Sequence, residues 1–323
     1  MKELKVISLE NGVILNENLV KGSILPKTSS ELERDVIIQS DTIVEGAVYA
    51  RKLEIQNGDV EIQGAVFTKL EFHVATGAQG GITFRKTVAS ADSIVSYARN
   101  CRLMFMADIN AKQVKLCNAF VAGSIFADEV ILEECIVLGG VFATKKVDMK
   151  SCIVGTFNSD SVSVSGDIKL LLPSAFSSEE IRVVGNAHMY NLSLADLGAL
   201  YKGTPEMESS GIIEMDIHSD EQKSMLTEDD QMVVVRSYSV IGKVLAADLL
   251  DVDKLKNHFL ITATALGSQT LKTYDLGYDE DGKLCEITPD KVATFFFDLL
   301  HGKVQIQPLD GSFSIKDIAQ RFN

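Results

Sequence analysis

Tryptophan is absent from the 323 residues and proline is scarce, at five. With 46% apolar and 24% charged residues the chain has the balance of one that folds around a core, so long disorder is not the expectation. No apolar run approaches the ~20 residues of a membrane span. The opening MKELKVISLENG also lacks the roughly 7–15-residue apolar stretch of a secretory signal. A cytoplasmic location is expected. Cysteine is sparse as well: five residues, an odd number with no CxxC pair, argue against a disulfide framework and agree with a reducing compartment.

A basic cluster is also missing. The net charge is −14, with 21 acids and 11 bases in residues 206–323 against 24 acids and 20 bases before them. Such a surface repels a phosphate backbone, so no nucleic-acid partner is expected. No Walker loop, nucleophile elbow or dinucleotide fingerprint occurs. No catalytic residue, cofactor or metal ligand is therefore assigned.

What the chain does contain is a repeat. A Gly, one or two small or β-branched residues, an aromatic or Asn and then Ala, with Thr in one copy, recur as Gly46-Ala-Val-Tyr-Ala50, Gly64-Ala-Val-Phe-Thr68, Gly123-Ser-Ile-Phe-Ala127 and Gly140-Val-Phe-Ala143. Weaker copies stand at Asp108–Ala111 and Gly155–Asn158. Each is followed by a short strand-like piece: Leu53–Ile55, Leu70–Phe72, Val114–Leu116, Val130–Leu132, Val147–Met149 and Val162–Val164. Alternation in these pieces points one side chain in and the next out.

A second column carries the same period. Cys101, Cys117, Cys135 and Cys152 recur at 16, 18 and 17 residues. Three short faces at about 3.3 Å per residue, plus corners, consume roughly that many residues per turn. The expectation is a single-stranded β-solenoid of 16–18 residues per coil over residues 1–204. Gly46, Gly64, Gly123, Gly140 and Gly155 make the tight turns and the cysteines pack as small buried apolar groups. A linear file of thiols does not converge on a tetrahedral metal, so the column is read as structural.

The segments GAVYARKLEI (46–55), GAVFTKLEF (64–72) and GSIFADEVIL (123–132) resemble the repeats of the bactofilins, the polymer-forming cytoskeletal proteins of bacteria. The resemblance spans roughly residues 20–194. It implies a right-handed β-helix and assembly into oligomers or filaments, often close to a membrane, although nothing in this sequence itself indicates membrane association.

Near Lys202–Glu206 the composition turns to loop formers and the repeat stops. Ser193–Lys202 is read as a short helix capping the last coil. Residues 205–323 are expected to form a smaller, acidic α+β domain. Its strands are placed at Gly211–Ile217, Gln231–Ser237, Phe259–Ala265, Leu271–Leu276, Leu284–Ile287 and Val304–Gln307, and its helices at Ala246–Asn257, Pro289–His301 and Ser314–Phe322. In helix Pro289–His301 the stripe Val292, Phe295, Phe296, Leu299 and Leu300 is a packing face. Asp279–Gly282 opens like a calcium loop but lacks the later ligands, and a hairpin turn explains it better. Of the five histidines, only His73 and His188 fall in the repeat region, and both are read as surface residues.

The functional expectation is a non-enzymatic scaffold that associates with itself and recruits a protein partner. An oligomeric solenoid acyl- or nucleotidyl-sugar-type transferase is the alternative, although the hexapeptide phase of such enzymes is not kept.

Overall fold

The computed structural model describes residues 2–4, 12–26, 34–171, 177–191, 232–239, 274–275 and 288–303. The chain divides into two compact units, Met1–Met149 and Lys150–Asn323.

The first unit is a parallel β-solenoid of about seven turns. Each coil has three faces, and each face stacks in register on the same face of the next coil. Face A is built from β1 (Lys2–Leu4), β3 (Asn18–Val20), β5 (Thr42–Val44), β7 (Val60–Ile62), β9 (Gly80–Phe84), β12 (Cys101–Phe105), β15 (Ala119–Val121) and the start of β17 (Ile136–Leu170). Face B runs from Ile24 through the first residues of β6 (Val48–Ile55) and of β8 (Val66–Val74), then β10 (Val88–Ser90), β13 (Ile109–Asn110) and the start of β16 (Ile125–Glu133). Face C takes β2 (Val13–Leu15), β4 (Asp35–Ile38), the later halves of β6 and β8, β11 (Ser93–Ser96), β14 (Gln113–Cys117) and the later half of β16.

Alternation explains why these residues form strands. On face C, Leu53, Phe72, Ile94, Val114 and Val130 pair rung to rung and are all buried. The residues between them face out. Inside, Phe84 and Phe105 stack with ring centroids 5.0 Å apart, and Phe72 meets Phe84 edge-on at 5.2 Å. Aromatic pairs of this geometry add about 0.5–1.5 kcal/mol to the burial of their surface.

The coils are less uniform than the expected 16–18 residues. That spacing holds where Val114 pairs with Val130 (16) and Val48 with Val66 (18). It widens to 22 where Val60 pairs with Ile82, and to 24 where Asn18 pairs with Thr42. In the 22-residue coil the extra residues include a corner turn closed by Ala78 N–H donating to the Ala75 carbonyl. A corner can lengthen without disturbing the register of the faces it joins.

In the second unit, the later part of β17 pairs in parallel with β18 (Ser177–Asn191), with a register shift between Ser165 and Asp167. The free side of β18 is then taken by β19 (Met232–Ser239), which pairs antiparallel from Ser177↔Ser239 to Val184↔Met232. A strand therefore covers this edge. The capping helix expected at Ser193–Lys202 lies outside the described residues, as does the boundary expected at 204/205. So do the expected strands Gly211–Ile217, Phe259–Ala265, Leu284–Ile287 and Val304–Gln307, and helices Ala246–Asn257 and Ser314–Phe322.

Helix α1 (Pro289–Leu300) is present as expected. Thr288 is its N-cap, its hydroxyl accepting from Lys291 N–H at 3.4 Å, and Pro289 occupies the first turn. Val292, Ala293, Phe295, Phe296 and Leu299 are buried. Tyr274 packs edge-on against Phe295, and its hydroxyl donates to Asp298 at 2.9 Å. Lys303 donates to the same carboxylate at 2.7 Å and, with Tyr274, holds it ionised below the usual carboxylate range.

Candidate interaction surface

In-register stacking turns every outward position into a file along the solenoid. The three faces of the first unit differ sharply in what their files carry. On face A, Met104, Phe120 and Ile136 succeed one another at the outward position, and all three are buried. On face C the file is mixed: Ile14, Ile37, Glu54, His73, Val95, Lys115 and Ile131.

Face B is different. Its outward file begins at Leu25, which follows the Ile24↔Val48 bridge, and continues through Tyr49, Phe67, Ala89, Asn110 and Phe126. Phe142 stacks on Phe126 at 5.2 Å and 15°, and Tyr49 lies 5.9 Å from Phe67. Leu25 (49%), Tyr49 (40%) and Phe126 (41%) keep much of their surface in water. The file carries no charge. Two aromatic pairs thus stand on either side of a low middle formed by Ala89 and Asn110.

Charges gather at the corner between faces B and C. Asp92, Lys112 and Asp128 occupy one position in successive coils, where the coil before them places Leu70 with Lys69 beside it, and Arg51 and Lys145 stand at the same corner further along. Both Lys112 and Gln113 N–H donate to the Asp92 carbonyl, and both Asp128 and Glu129 N–H donate to the Lys112 carbonyl. Arg51 makes a two-pronged contact with Asp35 at 2.7 and 2.6 Å. Asp128 accepts from Thr144 at 2.9 Å and Lys145 at 3.3 Å, and these bonds hold its carboxyl below the usual range.

The glycines of the repeat sit at the opposite corner, between faces A and B. A Cβ on Gly46 would run into the Gly22 backbone and the Ser23 hydroxyl, and one on Gly64 into the backbone of Gly46 and Ala47. Gly123 lies against Ala107 and Asp108. In the next coil the residue that lies on Gly123 is Gly139, whose N–H donates to the Gly123 carbonyl at 3.0 Å, while Gly140 N–H donates to the Ser124 hydroxyl. Gly155 lies within β17 in the second unit. None of Gly46, Gly64 or Gly123 has a positive φ. Close approach of successive coils, rather than turn geometry, requires glycine there.

All four cysteines of the repeat are buried thiols. Cys101 pairs with Gly80, and Cys117 with Glu133. Cys135 precedes Ile136, the partner of Phe120, and so lies on the rung of Ala119, two residues removed from Cys117. That two-residue step is the origin of the 18-residue interval. Cys135 follows Glu134, whose φ is 53°, and its thiol donates to the Glu133 carbonyl at 3.2 Å. In the second unit Cys152 follows Ser151 (φ 49°) and donates to the Lys150 carbonyl at 3.3 Å. A left-handed residue followed by a small buried thiol is thus a local corner device. Burial, helped by Asp59, pushes the Cys101 thiol up to about 11.

His73 faces out on face C between Glu54 and Val95, and His188 stands opposite Asp167 in β18. The acidic loop Asp279–Gly282 lies outside the described residues. Among the described residues no three His, Cys, Asp or Glu come together as a metal-binding group, and no helix is long and apolar enough to cross a membrane.

The outward direction of Tyr49, Phe67, Phe126 and Phe142 follows from the alternation V-Y-A, V-F-T, I-F-A and V-F-A. The signal for this surface is therefore present in the sequence, where the same aromatics also mark the turn of each repeat.

These features define a parallel β-solenoid with one exposed aromatic file. No protein-family model, curated protein or solved structure matches the chain.

Proposed function

We propose that this protein is a non-enzymatic cytoplasmic scaffold of bactofilin-like character. Its solenoid mediates self-association, and its acidic C-terminal region, read as an α+β domain, recruits or regulates a protein partner. The observation that carries this reading is the outward file of face B. Large apolar side chains held in water at regular spacing on a rigid support are characteristic of surfaces that associate. A solenoid supplies the support, because each coil is fixed by its neighbours and the surface extends by repetition.

Electron microscopy of the purified full chain across a range of salt concentrations tests the reading. Oligomers or filaments are expected. Strictly monomeric particles at high protein concentration refute the assembly role.

A further inference from the structure

We propose that face B is the interface of a two-fold dimer of this chain, formed face to face with the two solenoid axes antiparallel. The proposal rests on the self-association reading above and names its surface and partner.

The order of the file supports this arrangement. From coil to coil it reads Leu25, Tyr49, Phe67, Ala89, Asn110, Phe126, Phe142. Place the two-fold axis across the face, between Ala89 and Asn110. Tyr49 then opposes the partner's Phe142, Phe67 opposes the partner's Phe126, and the two low middles meet. A two-fold interface must be self-complementary, and this file has the required near-palindrome of bulk.

Charge points the same way. An axis across the face brings each corner onto the same corner of the second copy, with the coil order reversed. Asp92 then opposes the partner's Lys112, a contact occurring twice, and Lys69, beside Leu70 at the equivalent position, comes next to the partner's Asp128. Asp92, Lys112 and Lys69 are exposed. At the far corner the exposed Lys86 comes one residue from the position opposite the partner's Asp108, which is also exposed. The one like-charged juxtaposition sets Arg51 against the partner's Lys145, and both are already neutralised within their own chain by Asp35 and Asp128.

Size sets the strength. Seven coils at about 4.8 Å give a face roughly 30 Å long, and three residues plus corners make it about 15 Å wide. The area is then roughly 450 Å² per copy, or about 900 Å² in all, below the ~1,200–2,000 Å² of stable complexes. A reversible dimer with Kd on the order of tens of micromolar is expected.

Sedimentation velocity of the full chain from about 1 to 500 µM tests this, with circular dichroism confirming that each variant is folded. Phe126→Glu is expected to weaken the dimer more than tenfold, and Asp92→Lys to weaken it comparably. The combined Asp92→Lys and Lys112→Asp exchange restores association, because both copies then carry the reversed pair. Self-association that ignores all three variants overturns the face B interface while leaving a scaffold role intact. A chain that stays monomeric, with face B open to a partner of another kind, overturns the proposal and the self-association reading together.

Discussion

Replacing Gly64 by alanine adds a single methyl group, yet it should rank among the most damaging changes to the solenoid. The Gly64 N–H donates to the Gly46 carbonyl at 3.0 Å, so the two coils touch through main chain at this corner. A Cβ would overlap the Gly46 carbonyl group and the Ala47 nitrogen. Neither is the end of a flexible side chain, and relief requires the coils to separate. Overpacking typically costs about 1–3 kcal/mol, and a backbone obstacle places this case at about 3 kcal/mol. For a cooperative unit of this size that corresponds to a fall in Tm of roughly 6–10 °C. Gly77 is the control. It has no neighbour within 4 Å of its added Cβ and no positive φ, so Gly77→Ala should be neutral or stabilise by up to about 1 kcal/mol. Thermal melts by circular dichroism, with hydrogen exchange to localise the loss near residues 46–66, would measure both. A Gly64→Ala variant melting within about 1 °C of wild type refutes the argument that close approach, rather than conformational freedom, selects glycine here.

Phe84→Ala removes the ring at the centre of the Phe72–Phe84–Phe105 cluster and should cost about 3–5 kcal/mol in denaturant melts. Cys101 has a folded-state value pushed up to about 11, so its thiol should resist iodoacetamide at pH 8 in the native protein and react fully once unfolded. Its contribution is complete below the unfolded thiol range and is lost as pH rises toward 11. Stability should therefore decline between roughly pH 9 and 11, and Cys101→Ala should flatten that decline. Asp128 behaves oppositely: its depressed value gives stability present at neutral pH and lost as pH falls below about 4. Replacing Lys145 by Ala should reduce that acid sensitivity, as read by melting temperature against pH. Thr288→Ala removes the cap of helix α1 and should cost about 1 kcal/mol in the local stability of that helix, as read by hydrogen exchange.

The repeat was legible wherever a coil combined a small corner residue, an outward aromatic and a short alternating strand. Coils lacking parts of that combination leave a weak copy, as at Asp108–Ala111, or none. Val88-Ala-Ser90 and Ile94-Val95 form ordinary rungs of faces B and C, but with neither glycine nor aromatic to mark them. The pairing of Leu53 was misleading for a related reason. Leu70 resembles it in sequence, yet the register shift after Ala50 carries Leu53 onto Phe72 and leaves Leu70 39% exposed. A bulge at a corner is invisible to a fixed period. The cysteine spacing likewise combined two register positions, because small buried groups suit both. Helix α1 was legible because Thr288-Pro289 and an apolar stripe at helical spacing specify it locally. The partnership of β18 with Met232–Ser239 was not, since an antiparallel pairing across some 40 intervening residues leaves no periodic trace.

That pairing has a consequence for how the protein is made. The strand covering β18 is encoded 41 residues after β18 ends, as Asn191 and Met232 show. During synthesis at roughly 5–20 residues per second, β18 emerges from the ribosome a few seconds before its cover. Over that interval the edge of β18 has yet to receive β19, and an edge without its partner strand can template the strand of a neighbouring nascent chain. Translation speed across residues 192–239 therefore sets how long neighbours on one messenger can become entangled.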